Sequence, residues 1–306
     1  MLLRNFLLRA AANPFLVRYF ASLGRYSGLF RRFVAGETIE ETIAVVRELN
    51  RGGILATLDQ LGEGVTQESE AARATDGYIN LLKQIHSSGI QSTISIKLTQ
   101  LGLEVDRELA WLHLRRILET ASELNNFVRI DMEGSAHTQA TLDLFRQAWD
   151  GFGRERVGIV IQAYLYRSEQ DVRELSALGC NIRLCKGAYM EPPEVAFPRK
   201  SDVDRNFRRL VDIMLASPGY SAIATHDDAM IRHALGTVRK LGVGLDRYEF
   251  QMLYGIRRER QWELARQGYR MRIYVPFGTQ WAPYYMRRLA ERPANLLFIL
   301  KSLFRR

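Results

Sequence analysis

Cysteine is nearly missing from this chain. Cys180 and Cys185 are the whole complement in 306 residues, spaced C-x4-C with no second pair. That spacing argues against a zinc ribbon or a CxxC redox pair, and two ordinary thiols fit a reducing, cytoplasmic setting. Histidine is scarce too. His86, His113, His137 and His233 fall on predicted helices or their starts, and no HxH or HExxH occurs. No metal is expected on that donor set. No GxSxG elbow is present, which argues against nucleophilic hydrolysis. No strand candidate is followed by GxGxxG or GxxxxGK[ST]. No apolar run reaches the ~18 residues of a membrane-spanning helix. Acidic residues are missing from residues 1–36, which hold six arginines.

What is present is globular in composition, with 47% hydrophobic and 25% charged residues. The net charge of +9 is concentrated at the two ends. Residues 287–306 carry six Lys/Arg against Glu291, and the stretch between the ends is slightly acidic. A nucleic-acid protein usually carries a basic stripe on its folded body, so no nucleic-acid partner is expected. MLLRNFLLRAAANPFLVRYF and LLFILKSLFRR read as basic amphipathic segments. Such segments either lie on an anionic membrane surface or cap the fold with their arginines in water. Arg9 and Asn13-Pro14 interrupt the first apolar run, which argues against a secretory signal, although the segment shares the Arg-rich character of a transit peptide. The expected organisation is a basic amphipathic segment at 1–36 and one domain over 37–306.

From residue 37 the pattern changes. Thr38 and Glu41 form a capping box, with a helix to about Asn50. Short apolar runs then alternate with helical ones. The strand candidates are 53–58, 93–98, 127–132, 157–165, 181–186, 221–226, 248–253 and 272–277. The helices between them fall near 67–87, 104–125, 138–150, 168–178, 202–216, 228–241 and 257–268, with a last helix from about Thr279. Helices of this length join parallel strands, not hairpins. Eight such repeats predict an α/β fold, a (β/α)8 TIM-type barrel, with an open doubly wound sheet as the runner-up.

In such a barrel the site lies at the carboxyl ends of the strands. Polar groups are predicted there on nearly every strand: Glu63 after the first, Lys97 on the second, Asp131 and Glu133 on the third, and Gln162 and Tyr164 on the fourth. The fifth leads through Arg183 and Lys186 into GAY at Tyr189. The sixth ends in Thr225, His226 and Asp227, the seventh carries Glu249 and Gln251, and the eighth carries Tyr274. Such a ring is better explained by a ligand than by packing. Lys97 is either satisfied by a carboxylate such as Asp131, a Schiff-base nucleophile, or a fixed cation. Nearby acids raise a lysine pKa, which favours the cation. Arg287 and Arg288, on the last helix, read as an anion clamp or as a solvated basic face. Glu291 is spaced to brace Arg287. The proline-rich loop 190–202 reads as a lid or a surface insertion.

Together these residues resemble the flavin-dependent proline dehydrogenase family. The matching segments are SIKL with Lys97, IDMEG with Asp131, RLCKGAY, the ATH that ends the sixth strand, YEFQMLYG, RIYVPFG and RRLAER, in the family's order over about 37–295. Cys185 stands where the family pattern has valine, which bears on flavin tuning only. The resemblance implies a distorted barrel with extra N-terminal helices and the RRxxER helix over its mouth. It implies FAD as cofactor and oxidation of L-proline to Δ1-pyrroline-5-carboxylate by hydride transfer from C5 to flavin N5. Electrons would pass to membrane quinone, on the inner face of the cytoplasmic membrane. Lys97, Arg287 and Arg288 would bind the carboxylate and Tyr274 line the ring pocket, with Glu291 beside them. Glu63 would act as a gate, while Asp131 and Tyr189 shape the site. Met132, Gln162, Arg183, Lys186, Gly187, Ala188, Thr225 and His226 would contact FAD, Arg183 near N5. A monofunctional bacterial enzyme is expected. The rival readings are a Schiff-base aldolase or lyase using Lys97 or Lys186, and a non-enzymatic peripheral membrane protein.

Overall fold

The computed structural model describes residues 32–62 and 64–282. Its elements are α1 (Ile39–Arg51), β1 (Leu55–Gln60), α2 (Glu68–Ser88), β2 (Ser92–Ile96), α3 (Arg107–Glu123), β3 (Val128–Ile130), α4 (Thr138–Phe152) and β4 (Val157–Gln162). There follow α5 (Ser168–Ala177), β5 (Asn181–Cys185), α6 (Lys200–Ala216), β6 (Tyr220–Ala224), α7 (Asp228–Leu241), β7 (Tyr248–Leu253), α8 (Arg258–Arg266) and β8 (Met271–Phe277). All eight strands run parallel and close in chain order, β1 pairing with both β2 and β8. This is the predicted (β/α)8 barrel.

Local chemistry sets the element ends. The Thr38 hydroxyl accepts the Glu41 N–H at 3.3 Å, and the Glu41 carboxylate reaches back to the Glu37 N–H at 2.8 Å. The capping box therefore closes one residue earlier than its usual form. Asp106 and Asp227 cap α3 and α7 through their carboxylates. Immediately before α1, Phe33, Val34 and Ala35 are buried. The Ala35 N–H donates to the Pro276 carbonyl and the Gly278 N–H to that of Gly36, so this stretch sits against the end of β8. Among the described residues no helix is long and apolar enough to cross a membrane.

The two faces of each strand differ in chemistry. Ala56, Leu58, Ile94, Ile96, Val128, Ile130, Ile159 and Ile182 belong to the apolar core shared with the helices. Their neighbours point to the barrel axis and are polar, small or charged: Thr57, Asp59, Ser95, Arg129, Asp131, Gly158, Arg183, Glu249 and Arg272. The Thr57 and Ser95 hydroxyls meet at 3.2 Å between the neighbouring strands β1 and β2. Three ion pairs follow it from mouth to floor: Lys97–Asp59, Arg183–Asp131 and Arg272–Glu249. Gly158 makes room for this filling. A Cβ there would lie 2.5 Å from Arg129 Nη1 and 2.6 Å from the Asn181 carbonyl.

Two strand boundaries differ from expectation. β1 runs two residues later than predicted, which places Asp59 and Gln60 in the sheet. β4 stops at Gln162, because Leu165 bridges Ala196 antiparallel and Tyr164 exchanges bonds with Lys186 and Phe197. The segments 1–31 and 283–306, and with them nearly all of both basic ends and of the last helix, lie outside the described residues.

Candidate active site

At the carboxyl mouth, Lys97 follows directly on β2. Its ammonium donates to Asp59 Oδ1 at 2.7 Å, and both side chains are largely withdrawn from solvent. Asp59, not Asp131, is thus its direct partner. Burial alone would lower the Lys97 pKa, but the charges of Asp59 and Asp131 outweigh it and hold the ammonium well above its ordinary value. A lysine kept protonated is a fixed cation and a poor Schiff-base nucleophile.

Asp131 stands beside this pair at the end of β3. Its Oδ1 accepts Arg183 Nη1 and its Oδ2 accepts the Tyr274 hydroxyl, both at 2.8 Å. Arg183 also donates to Ser95 Oγ at 3.0 Å, and its guanidinium carbon lies 5.3 Å from the centroid of the Tyr274 ring. Burial raises the Asp131 pKa against the opposing charges of Arg183 and Lys97. Three strands thus bring Asp131, Arg183 and Tyr274 into one network, with the Lys97–Asp59 pair beside it.

The other sequence-predicted positions lie around this network. Gln162 Nε2 donates to the Met132 carbonyl at 3.1 Å, while its Oε1 is buried with no partner. A buried acceptor left unmet is costly unless a ligand donor reaches it. Gly187 has φ of 101°, and a Cβ there would lie 2.3 Å from the Tyr164 ring. Glycine is therefore demanded both by the backbone and by the aromatic beneath it, between half-buried Lys186 and Ala188 and before half-buried Tyr189. Lys186 pairs with Asp204 at 2.5 Å and Asp227 at 2.9 Å. Two of its three donors are thus committed. Thr225 Oγ1 accepts the Asp227 N–H at 3.1 Å. His226 Nε2 accepts the Leu253 N–H at 2.9 Å, which leaves the ring proton on Nδ1 in the neutral form.

Several expectations are corrected. Glu133 does not join the lysine; it accepts the Thr99 N–H and hydroxyl at 3.1 and 2.6 Å, bracing the turn after β2. Glu249 stands near the start of β7 at the opposite end of the barrel, accepting from Arg272 and Tyr220 at 2.8 and 3.1 Å. The loop 190–202, read as a lid or a surface insertion, touches the body through Glu191 and Phe197. Glu191 accepts the Ser135 N–H at 2.7 Å and also its hydroxyl, and Tyr166 packs edge-on to Phe197. Asp59 was missed because the predicted first strand stops before it. Its signal was a lone carboxylate in period-two register with Thr57. Glu63, Arg287, Arg288 and Glu291 lie outside the described residues. Among the described residues no group of His, Cys, Asp and Glu is placed to hold a metal ion.

A parallel barrel with ionisable side chains gathered at its carboxyl mouth is a (β/α)8 enzyme of small-molecule chemistry. The family model for proline dehydrogenase matches residues 42–301. The chain is 45% identical over 305 residues to proline dehydrogenase 1 of Bacillus subtilis strain 168, covering 100% of both. It is 44% identical over 280 residues to proline dehydrogenase of Deinococcus radiodurans, covering 90% of each. Among solved structures it resembles proline utilization A from Bdellovibrio bacteriovorus, inactivated by N-propargylglycine, with a TM-score of 0.81 and 26% identity. That match covers 86% of this chain and 32% of the larger one. The chain belongs to the proline dehydrogenase family, oxidoreductases that act on proline in its catabolism.

Proposed function

We propose that this chain oxidises L-proline to Δ1-pyrroline-5-carboxylate with a bound FAD, and that the network at the barrel mouth is its active site. One observation carries this reading: Lys97, ion-paired with Asp59 at 2.7 Å, stands at the mouth beside the Asp131–Arg183–Tyr274 network. A fixed cation there serves to orient a carboxylate-bearing substrate, and orientation is what a hydride transfer demands of the protein.

When bound, the flavin supplies the acceptor for the hydride leaving C5 of proline. In this reading Lys97, Arg287 and Arg288 hold the substrate carboxylate, Tyr274 lines the ring pocket, Glu63 gates entry and Glu291 braces the clamp. Asp131 fixes Arg183 and Tyr274 through its two oxygens. The flavin would be held by Met132, Gln162, Arg183, Gly187, Ala188, Thr225 and His226, with Lys186 and Tyr189 beside them. The donor chemistry fits, because Gln162 offers an unmet buried oxygen and Gly187 a backbone free of Cβ. Of the basic segment 1–36, residues 33–36 pack against the 37–306 barrel; the part before them, with the basic C-terminal end, touches the inner face of the cytoplasmic membrane, where quinone takes the electrons.

Anaerobic addition of L-proline to the purified yellow protein tests the reading. The flavin absorbance should bleach and recover on adding a quinone. A colourless protein, or a flavin that L-proline leaves oxidised, overturns it.

A further inference from the structure

The floor of the barrel, opposite the active site, holds a feature that proline oxidation does not use. A cavity of about 390 Å³ opens between the amino-terminal ends of the strands. Its lining includes Arg129, Arg183 and Arg272 from inside the barrel and Arg154, Arg247 and Arg270 at the rim. Three acids share that lining, and two are already paired: Glu249 with Arg272 at 2.8 Å and Glu155 with Arg154 at 3.1 Å. Asp246, the third, is exposed.

The interior charge does not balance. Along the barrel axis Lys97, Arg183 and Arg272 each have a carboxylate partner. Arg129 makes no ion pair among the described residues, yet it is 3% exposed. Its Nη atoms donate to the carbonyls of Ile159 and Asn181 and to the Asn181 side chain, and its Nε is buried with no partner. Burial, then the charge of Arg183, push its pKa well below the ordinary arginine value; Arg272 adds to the fall, and the charges of Glu249 and Asp131 offset only part of it. At the rim, Arg247 donates to the Ser217 and Gly219 carbonyls, and Arg270 lies 5.8 Å from the Tyr220 ring centroid. Neither makes an ion pair among the described residues. A buried guanidinium without a counter-charge is expensive, and an anion drawn into the cavity offsets that cost. Planar guanidinium forks match phosphate and carboxylate oxygens.

We propose that this cavity is a binding site for a small oxyanion of at least two negative charges, a phosphate group or a di- or tricarboxylate. Arg129 forms its floor and Arg247 and Arg270 its rim. The site is approached from the end of the barrel opposite the proline pocket, and Arg183 stands between the two.

Calorimetric titration of the full-length protein with inorganic phosphate, and separately with citrate, tests it at constant ionic strength against chloride. The expected result is saturable binding to one site by phosphate, citrate or both, with a matching rise in Tm that chloride does not give. Which anion binds more tightly tells phosphate from polycarboxylate recognition. Arg270→Gln, at an exposed position, should weaken that binding about tenfold. Arg115→Gln on the outer surface of α3 should leave it unchanged. Arg129→Gln should abolish it, and Arg270→Gln keeps the test valid should that interior variant fold poorly. Non-saturating responses, or equal responses in Arg270→Gln and Arg115→Gln, overturn the proposal.

Discussion

At the scale of single residues, Lys97 shows how one side chain draws meaning from its neighbours. Just after β2 it ends an apolar run, and its charge is made tolerable by Asp59 on β1 and by Asp131, just after β3. Removing one member of such a pair strands the other. Lys97→Met should cost about 3–5 kcal/mol in urea unfolding, because the Asp59 carboxylate stays buried without its cation. The double variant Lys97→Met, Asp59→Asn should recover a large part of that loss. Additive losses in the cycle would show that the two side chains are not energetically coupled.

At the scale of elements, β4 is informative. Its run VGIVIQ reads as a buried strand, and its glycine reads as a weakness in it. In the barrel that glycine lets the Arg129 guanidinium and the Asn181 carbonyl approach. A Cβ at 158 meets backbone on one side, which does not move aside as a side-chain tip would. Gly158→Ala should therefore cost about 1–3 kcal/mol, read as a lower Tm. An unchanged Tm would mean that Arg129 relocates without loss. The order of the eight strands and helices was legible in the sequence, because strand and helix periods alternate in short, punctuated blocks. The ends of β1 and β4 were not. Asp59 is polar where a strand residue usually is not, and Leu165 pairs with a segment thirty residues away.

At the scale of the whole molecule, stability depends on pH through the buried carboxylates. Burial raises the Glu249 pKa, but Arg272 and its hydrogen bonds prevail and hold it below the ordinary glutamate value. Asp204 and Asp227 are likewise held low against burial by Lys186. A depressed folded pKa contributes stability that is complete above the unfolded value, about 4.3 for glutamate, and is lost as pH falls through the folded one. Asp131, with a raised pKa, works in the opposite sense and softens the loss. Tm should therefore fall as pH is lowered below about 4. Glu249→Gln should have a lower Tm at neutral pH and a shallower acid decline. Parallel declines in the two proteins would exclude Glu249 as a source.

By itself the sequence determined the eightfold βα alternation, the closure that such alternation favours, and the polar strand ends that motif order ties to proline oxidation. These are local properties, written in periodicity and in short runs. Only the tertiary structure decided which charges meet. It gave Lys97 to Asp59, moved Glu133 to a turn and Glu249 to the floor, and left Arg129 buried without a carboxylate. Partners across a barrel lie tens of residues apart in sequence, and the register that joins them exists only once the sheet has closed.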